Sequence, residues 1–244
     1  MNRLLRIDDF RKALDGYHLS KTALQSLSQT ELVLLVAPTA TGRNTIIREL
    51  LKTGDYHFIV SDTTRQPRVN DGILEENGRE YWFRTELEML TDIQQGKYLE
   101  AAIIHNQQVS GISVRELERA RDKGKIAITD AEIAGADNAT KYKPDTIAVF
   151  VLPPSFEEWQ RRLNRRGIME DQEIKRRIDS AVKELETALQ RDYYHFIIND
   201  TIEHSLEQIN EMAKLDVFDE VSQKAGRALA EQMLVSTRAF AQSL

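Results

Sequence analysis

The sequence predicts an α/β protein with a mostly parallel sheet that is covered by helices. Short apolar runs rich in β-branched residues recur along the chain, at residues 32–36, 57–61, 126–129, 146–152 and 195–198. Such runs are typical of strands that are buried on both faces. Patterns with helical spacing lie between these runs, and strands that alternate with helices form parallel sheets.

The composition indicates a globular protein. The chain has 244 residues, a net charge of −6 at pH 7 and no cysteine. This length fits one large domain with small inserted subdomains. The acidic balance argues against a general nucleic-acid binder, and the lack of cysteine excludes disulfides, thiolate zinc sites and cysteine nucleophiles. With no apolar run of membrane-spanning length and an acidic start at Asp8 and Asp9, we expect a cytoplasmic protein that binds neither nucleic acid nor membrane.

The two ends of the chain are predicted to be helical extensions, at residues 1–30 and 215–244. The C-terminal extension has apolar residues at a helical spacing, namely Val217, Phe218, Val221, Ala225, Leu229 and Met233. We expect this helix to serve in packing or in forming a homodimer through the terminal helices.

The first predicted strand leads into the loop Ala-Pro-Thr-Ala-Thr-Gly-Arg-Asn-Thr at residues 37–45, and a helix follows. This is the setting of the phosphate-binding pattern Gly-x-x-x-x-Gly-Lys-[Ser/Thr]. Gly42 is retained, whereas Ala37, Arg43 and Asn44 replace the first Gly, the Lys and the hydroxyl that holds Mg²⁺. Arg43 keeps a charge that pairs well with phosphate, and the Asn44 amide oxygen is a feasible ligand for a hard cation. On these residues alone, a phosphate site and an ordinary strand-to-helix turn are both open.

Two stretches interrupt the alternation of strands and helices. Residues 62–112 are mostly polar and are predicted to form a small inserted subdomain. Strand-like pieces and glycine turns occur at 71–72, 77–78, 80–83 and 98–100. Residues 155–180 are dense in Arg and Glu and are predicted to form a mostly helical lid.

Two helix starts carry the pattern of a capping box, in which Ser or Thr is followed three residues later by Glu or Gln. They are Ser113 with Glu116 and Ser155 with Glu158. Each pair predicts a helix that begins directly after its serine.

The inserted subdomain contains three motifs that resemble guanylate kinases. Ser-Asp-Thr-Thr-Arg-Gln-Pro-Arg at residues 61–68 is similar to the Ser-x-Thr-Thr-Arg-x-Pro-Arg segment with which that family binds a nucleoside monophosphate. Gly-Arg-Glu-Tyr-Trp-Phe at 78–83 is similar to its Gly-x-x-Tyr-x-Phe motif. Gly-Lys-Tyr-Leu-Glu at 96–100 is similar to its Gly-x-Phe-Leu-Glu motif.

Two later motifs extend the resemblance. Pro-Pro-Ser at 153–155, together with Arg-Arg-Gly at 165–167, is similar to the helix and lid of the family, and Ile-Ile-Asn-Asp at 197–200 is similar to its late strand end. The resemblance implies a P-loop nucleoside monophosphate kinase fold over residues 31–214, with an inserted nucleotide-binding subdomain and a lid.

The resemblance also implies an acceptor site for GMP or dGMP. Arg65 and Arg68 lie three residues apart, so both guanidinium groups can converge on one phosphate, and Tyr81 could add a hydroxyl donor. In the family, residues at the positions of Ser61 and Glu100 read the guanine, and a polar pocket rejects a base that leaves such groups unpaired.

The acceptor motifs depart from the family in two places. The family's Tyr-Gly-[Ser/Thr] appears as Val-Ser-Gly at residues 109–111, so a phosphate-contacting Tyr is missing and a guanine-contacting hydroxyl is missing or displaced to Ser110. The segment 71–76 is longer than in the family and is predicted to bulge.

On the donor side, the resemblance implies ATP and Mg²⁺ as cofactors. The expected catalytic residues are Arg43, Asp130, Arg165 and Arg177, with Arg166 competing for the role of Arg165. The expected ATP-binding residues are Thr39, Ala40, Thr41, Gly42, Arg43, Asn44 and Thr45 of the loop, together with Asn199, which would face the adenine. Asn44 is also the expected Mg²⁺ ligand. Phosphoryl transfer needs mainly positioning and positive charge, which such a set can supply.

The leading interpretation is therefore the ATP-dependent phosphorylation of GMP or dGMP. The alternative is a binding module with weak or no catalysis that uses the old phosphate pocket for a nucleotide or a phosphopeptide, as guanylate-kinase-like domains of scaffold proteins do. The altered loop favours the alternative, whereas the lid arginines and Asn199 favour the kinase. Binding of ATP and Mg²⁺ separates the two.

Overall fold

The computed structural model describes residues 4–70, 72–165 and 171–243. Its helices are α1 (Ile7–Leu14), α2 (Lys21–Ser28), α3 (Arg43–Lys52), α4 (Glu86–Gln94), α5 (Val114–Asp122), α6 (Ile133–Tyr142), α7 (Phe156–Asn164), α8 (Asp171–Leu189), α9 (Ile202–Leu215) and α10 (Glu220–Ser243). Its strands are β1 (Leu32–Val36), β2 (Tyr56–Phe58), β3 (Asp62–Thr63), β4 (Val69–Asn70), β5 (Ile73–Leu74), β6 (Trp82–Phe83), β7 (Tyr98–Ile104), β8 (Gln108–Ser113), β9 (Ile126–Asp130), β10 (Ile147–Leu152) and β11 (Tyr194–Ile198). Asp71 of the predicted turn, and Arg166 and Gly167 of the predicted lid, lie outside the described residues.

The chain folds into two compact units. The first unit comprises Met1–Leu32, Tyr56–Ala127 and Lys141–Pro144, and the second comprises Val33–Asp55, Ile128–Thr140 and Asp145–Leu244. Among the described helices of both units, none combines the length and the apolar character needed to cross a membrane.

The second unit is built on a parallel sheet. Strands β11, β10, β1 and β9 lie side by side in that order. Leu34 pairs with Ala148 and Phe150 pairs with Phe196, both in parallel register. All five residues of β1 are buried, as its unbroken apolar sequence predicts for a central strand. This sheet, flanked by helices, confirms the predicted α/β class.

The first unit contains a four-stranded sheet in the order β6-β3-β8-β7. Its β7 and β8 form an antiparallel hairpin, and β4 and β5 form a smaller one. Helices α1 and α4 cover β7 with an apolar cluster that includes Phe10, Met89 and Tyr98. The Tyr17 hydroxyl donates to the Tyr98 carbonyl at 2.7 Å and accepts from the Tyr98 N–H at 2.8 Å, so the chain before β1 is built into this unit.

Both predicted capping boxes need correction. Ser113 caps α5 by accepting from the N–H of Arg115, but Glu116 is buried and contacts the N–H of Val60 instead of returning to Ser113. Ser155 does cap α7 through the N–H of Glu158, whose carboxylate binds arginines. The complete capping box of the described chain lies elsewhere, at Thr85 and Glu88 of α4.

The apolar face predicted for the C-terminal helix is also partly wrong. Val217 and Phe218 precede α10, and Val221 is exposed. The buried residues of α10 are instead Gly226, Ala230, Met233 and Thr237. The small residues Gly226 and Ala230 allow α10 to pack closely against α8 and β11, and a Cβ at position 226 would collide with the backbone of Phe196. The helix therefore packs within its own unit, and a homodimer through it stays a prediction.

Candidate functional site

The loop at residues 37–45 turns from β1 into α3 in the second unit. Gly42 is the N-cap of α3 and has φ = 103°, a conformation that favours glycine. Ala40 has φ = 69° although it carries a Cβ. A non-glycine residue in this region costs about 1–3 kcal/mol and persists only where its surroundings hold it.

Three side chains hold this loop by its carbonyl groups. The Trp159 indole donates to the carbonyl of Thr39 at 2.9 Å. Asn199 Nδ2 and Arg162 Nη1 both donate to the carbonyl of Thr41, at 2.8 and 3.0 Å. These bonds account for the strained backbone, because they fix the loop from the side of α7 and β11.

The loop encloses a cavity of about 100 Å³ that is lined by residues 38–45. The first N–H groups of a helix have no intrahelical partner, so the start of α3 is suited to an anion. The buried Thr41 hydroxyl has no hydrogen-bond partner among the described residues. The Asn44 amide and the Thr45 hydroxyl also line this cavity, and oxygens of this kind suit Mg²⁺. The residues present therefore fit phosphate with its cation.

Arg43 stands where the phosphate-binding pattern has Lys. Its side chain contacts groups that follow β9 or end it. Its Nη2 lies 3.1 Å from Asp130 Oδ2, and its Nη1 donates to the carbonyl of Ala131 at 3.2 Å. The structure thus brings two predicted catalytic residues together in an ion pair. Both side chains keep some exposure, 24% for Arg43 and 39% for Asp130. A phosphate in the loop would have to share Arg43 with these oxygens.

Asn199 is buried with its amide already engaged. Its Nδ2 donates to the loop, and its Oδ1 accepts from the Ser205 hydroxyl at 3.1 Å. The Arg162 Nη2 donates to its carbonyl at 3.2 Å. Asn199 therefore supports the loop from the side of β11, and its contact with adenine stays a prediction.

The predicted lid arginines lie on α7 and α8. Arg165 follows α7 and is exposed, and Arg177 is paired with Glu173 at 2.7 Å. Their catalytic roles stay predictions. The sequence predicts no specific role for Arg162. No local pattern indicates its contacts with Thr41 and Asn199. Hydrogen bonds from Arg161 and Arg162 lower the pKa of the Glu158 carboxyl to about 2, so Arg162 keeps a charged partner near neutral pH.

In the first unit, a carboxylate bridges the two predicted acceptor arginines. Arg65 binds Glu75 in a bidentate pair, with Nη1–Oε2 and Nη2–Oε1 distances of 2.5 and 2.8 Å. Glu75 Oε2 also accepts from the backbone N–H of Arg68 at 2.9 Å. The Arg65 guanidinium lies 4.7 Å from the centre of the Tyr81 ring. The Glu75 hydrogen bond raises the pKa of Arg65. The structure therefore places Tyr81 and the backbone of Arg68 beside the Arg65–Glu75 pair. Convergence of the two guanidinium groups on one phosphate stays a prediction, and Glu75 is a member of the cluster that the sequence did not indicate.

A cavity of about 810 Å³ lies next to this cluster, and Arg65 and Arg68 line it. Its wall also contains Arg6, Phe83, Arg84 and Gln108. The acceptor arginines thus have room beside them for a ligand of nucleotide size.

The predicted base-reading residues lie on the same sheet of the first unit. The Ser61 carbonyl accepts from the N–H of Trp82 at 2.9 Å, and Glu100 lies opposite Ile112 in the β7–β8 ladder. The hydroxyl groups of Ser110 and Thr63 are 3.0 Å apart. Their contacts with guanine stay predictions.

A buried ionic network supports this sheet. Asp62 is fully buried and accepts from the Tyr98 hydroxyl at 2.5 Å, from Arg115 at 2.7 Å and from Arg84 at 3.3 Å. Burial raises the pKa of Asp62 despite these partners. The network fixes the strand that leads into Arg65.

The chain is similar to known proteins over most of its length. The profile of the guanylate kinase family matches residues 29–215. The chain is similar to the guanylate kinase of Porphyromonas gingivalis, with 35% identity over 187 residues that cover 74% of this chain and 94% of that protein. It is also similar to the guanylate kinase of Corynebacterium efficiens, with 34% identity over 180 residues, 73% of this chain and 92% of that protein. The crystal structure of guanylate kinase from Anaplasma phagocytophilum superposes with a TM-score of 0.54 and 25% identity, covering 84% of this chain and 95% of that chain.

Proposed function

Because the chain belongs to the guanylate kinase family, we propose that it transfers the terminal phosphate of ATP to GMP or dGMP, giving ADP with GDP or dGDP. The observation that carries the proposal is the backbone of the loop at 37–45. This loop keeps a left-handed Gly42, a strained Ala40 and a cavity at the start of α3, although several signature side chains are changed. The contacts from Trp159, Arg162 and Asn199 preserve that shape.

In the second unit, the N–H groups at the start of α3 would hold the donor phosphates, and Arg43 would add positive charge. Mg²⁺, held by Asn44 or Thr45, would neutralise charge that develops on the phosphates. Asp130 would orient Arg43 through their ion pair. Arg165 and Arg177 would add charge near the migrating group.

In the first unit, Arg65, Arg68 and Tyr81 would hold the acceptor phosphate. Ser61, Glu100 and Ser110 would lie at the guanine. A carboxylate that accepts two adjacent N–H donors selects guanine, since adenine lacks that pair.

A coupled assay of ADP release tests this proposal. The full chain would be given ATP and Mg²⁺ with GMP, dGMP, AMP, UMP or CMP in turn. We expect kcat/KM for GMP to exceed that for AMP by about 10⁴-fold or more, the size of discrimination that unpaired polar groups impose. Equal turnover of AMP and GMP would remove the base-reading role of Glu100, and no turnover of any acceptor would remove the kinase assignment.

The Arg43–Asp130 ion pair favours a second candidate, a guanylate-kinase-like binding module. In this candidate, Arg43 stays with Asp130 and the loop binds no nucleotide, while Arg65 and Arg68 bind a nucleotide or a phosphopeptide. Calorimetry with ATP and Mg²⁺ separates the two functions. Binding below millimolar concentration supports the kinase, and its absence together with GMP binding supports the module.

A further inference from the structure

Glu75 stands out in the acceptor cluster because it is an acidic residue at a predicted phosphate site. It follows the β4–β5 hairpin, and its side chain is 6% exposed, against 11% for that of Arg65. Its backbone N–H donates to the carbonyl of Arg68 at 2.9 Å, while its carboxylate accepts from the N–H of Arg68. Glu75 is therefore tied to the acceptor loop by both its backbone and its side chain.

The hydrogen bonds of Arg65 show which of its N–H groups Glu75 uses. A guanidinium has five N–H donors and two edges that can bind an anion with two bonds. Glu75 uses the edge formed by Nη1 and Nη2, and the carbonyl of Gln66 accepts from Nη1 at 3.0 Å. The other edge, formed by Nε and the second hydrogen of Nη2, is used by neither Glu75 nor Gln66, and the Tyr81 side chain lies beside the guanidinium.

Burial makes exchange of Glu75 for a phosphate unfavourable. Release of the carboxylate from Arg65 would take the guanidinium away from a nearly buried charge, which is strongly destabilising. Two anions can instead share one guanidinium through its two edges. We infer that Glu75 is a positioning residue for the acceptor phosphate, which holds Arg65 and the backbone of Arg68 so that the Nε edge of Arg65 binds GMP. This inference rests on the proposed function.

The test measures GMP binding by calorimetry, and kcat and KM by the coupled assay, on the full chain. The isosteric variant Glu75→Gln removes the charge and one acceptor. We expect the Kd and KM for GMP to rise roughly tenfold, the lower range for a charged hydrogen bond. The ATP KM and kcat should change less than about twofold, because Arg65 acts on the acceptor phosphate. The matched control is Glu76→Gln, since the neighbouring Glu76 is 67% exposed and its ion pair, within the part of the chain that the structure describes, is with Arg79 at the surface.

A double-mutant cycle with Arg65→Ala supplies the second readout. If Glu75 acts through Arg65, then Glu75→Gln should change GMP affinity less than about twofold in the Arg65→Ala background. Additive losses would overturn the inference. So would tighter GMP binding by Glu75→Gln, which would make Glu75 a competitor of phosphate. Unchanged GMP binding, or an equal loss of ATP affinity, would overturn it as well.

These results are separable from the fate of the proposed function. Wild-type protein that binds GMP but forms no GDP would end the kinase assignment, and the binding measurements would still decide the role of Glu75. Wild-type protein that forms GDP while Glu75→Gln binds GMP normally would end only the inference. Wild-type protein that binds no GMP would overturn both.

Discussion

The Arg43 side chain makes two contacts at the same time, which a lysine at this position would not do. Its planar guanidinium reaches Asp130 and the carbonyl of Ala131 at the same time, through two different nitrogens. A lysine ammonium is a compact point charge on a flexible stem and lacks this fork. The ion pair therefore keeps a positive charge at the start of α3 and fixes its direction.

Arg43→Ala should abolish transfer and leave GMP binding intact. Loss of one preorganised donor to a reacting group lowers kcat by about 10²–10³-fold, and the ATP KM should rise as well. GMP binding should persist, because Arg65 and Arg68 belong to the other unit. The coupled assay and GMP calorimetry measure the two effects.

Arg48→Ala is the matched control for this change. Arg48 lies on the same helix α3, is 65% exposed and, among the described residues, forms its ion pair with its neighbour Glu49. Its loss should therefore leave both measurements unchanged. Normal transfer by Arg43→Ala would show that backbone N–H groups alone hold the donor phosphates.

At the scale of elements, the hydrophobic pattern predicted the strands correctly more often than the polar pattern predicted the capping boxes. The predicted strands at 32–36 and 126–129 are confirmed as β1 and β9. Such mainly apolar runs are typical of strands that are buried on both faces of a sheet. Ser113 caps α5 as predicted, but the capping box was wrong because Glu116 is used in the interior, beside the N–H of Val60. A local spacing cannot tell which of two partners a carboxylate will find.

The same limit applies to the elements of the site. The positions of Gly42 and Arg43 at the start of a helix could be predicted, because the strand, the loop and the helix follow one another in the sequence. The contacts of Arg162 and Asn199 with Thr41 span 121 and 158 residues, and no local pattern reports such distant pairs. Glu75 and Arg65 are 10 residues apart with the β4–β5 hairpin between them, so no local pattern indicated their pairing.

Gly42→Ala should damage the loop at 37–45 in two ways. The backbone has φ = 103°, and the added Cβ would overlap Nδ2 of Asn199, which donates to the carbonyl of Thr41. We expect a loss of about 1–3 kcal/mol in the free energy of unfolding and weaker ATP binding. Urea denaturation and ATP calorimetry measure these effects.

Gly54→Ala separates the cost of backbone strain from the cost of steric overlap with Asn199. Gly54 has φ = 85° with nothing within 4 Å of an added Cβ, so this variant reports the backbone cost alone. It should lose less stability than Gly42→Ala and keep its ATP affinity. Equal effects of the two variants would mean that the Asn199 contact does not hold the loop.

At the scale of the whole molecule, arginines of the proposed phosphate sites are matched by carboxylates of the same unit. The pairs are Arg65 with Glu75, Arg43 with Asp130, Arg162 with Glu158 and Arg177 with Glu173. The net charge is −6, so the protein does not attract anions by its overall charge. Selection of phosphate must therefore come from local geometry, in which each carboxylate fixes the direction of its arginine.

Folding stability should decrease as the pH falls below about 6.5, the ordinary pKa of histidine. Burial lowers the pKa of His195 in the second unit and of His57 in the first. The unfolded chain then binds protons more readily than the folded chain, so stability is full above the unfolded pKa and is lost as the pH falls through it. Urea denaturation at pH 8 and pH 5.5 measures the change. His195→Gln should flatten the dependence, whereas His18→Gln, at an exposed position, should not. A pH profile that His195→Gln leaves unchanged would assign the proton uptake to other groups.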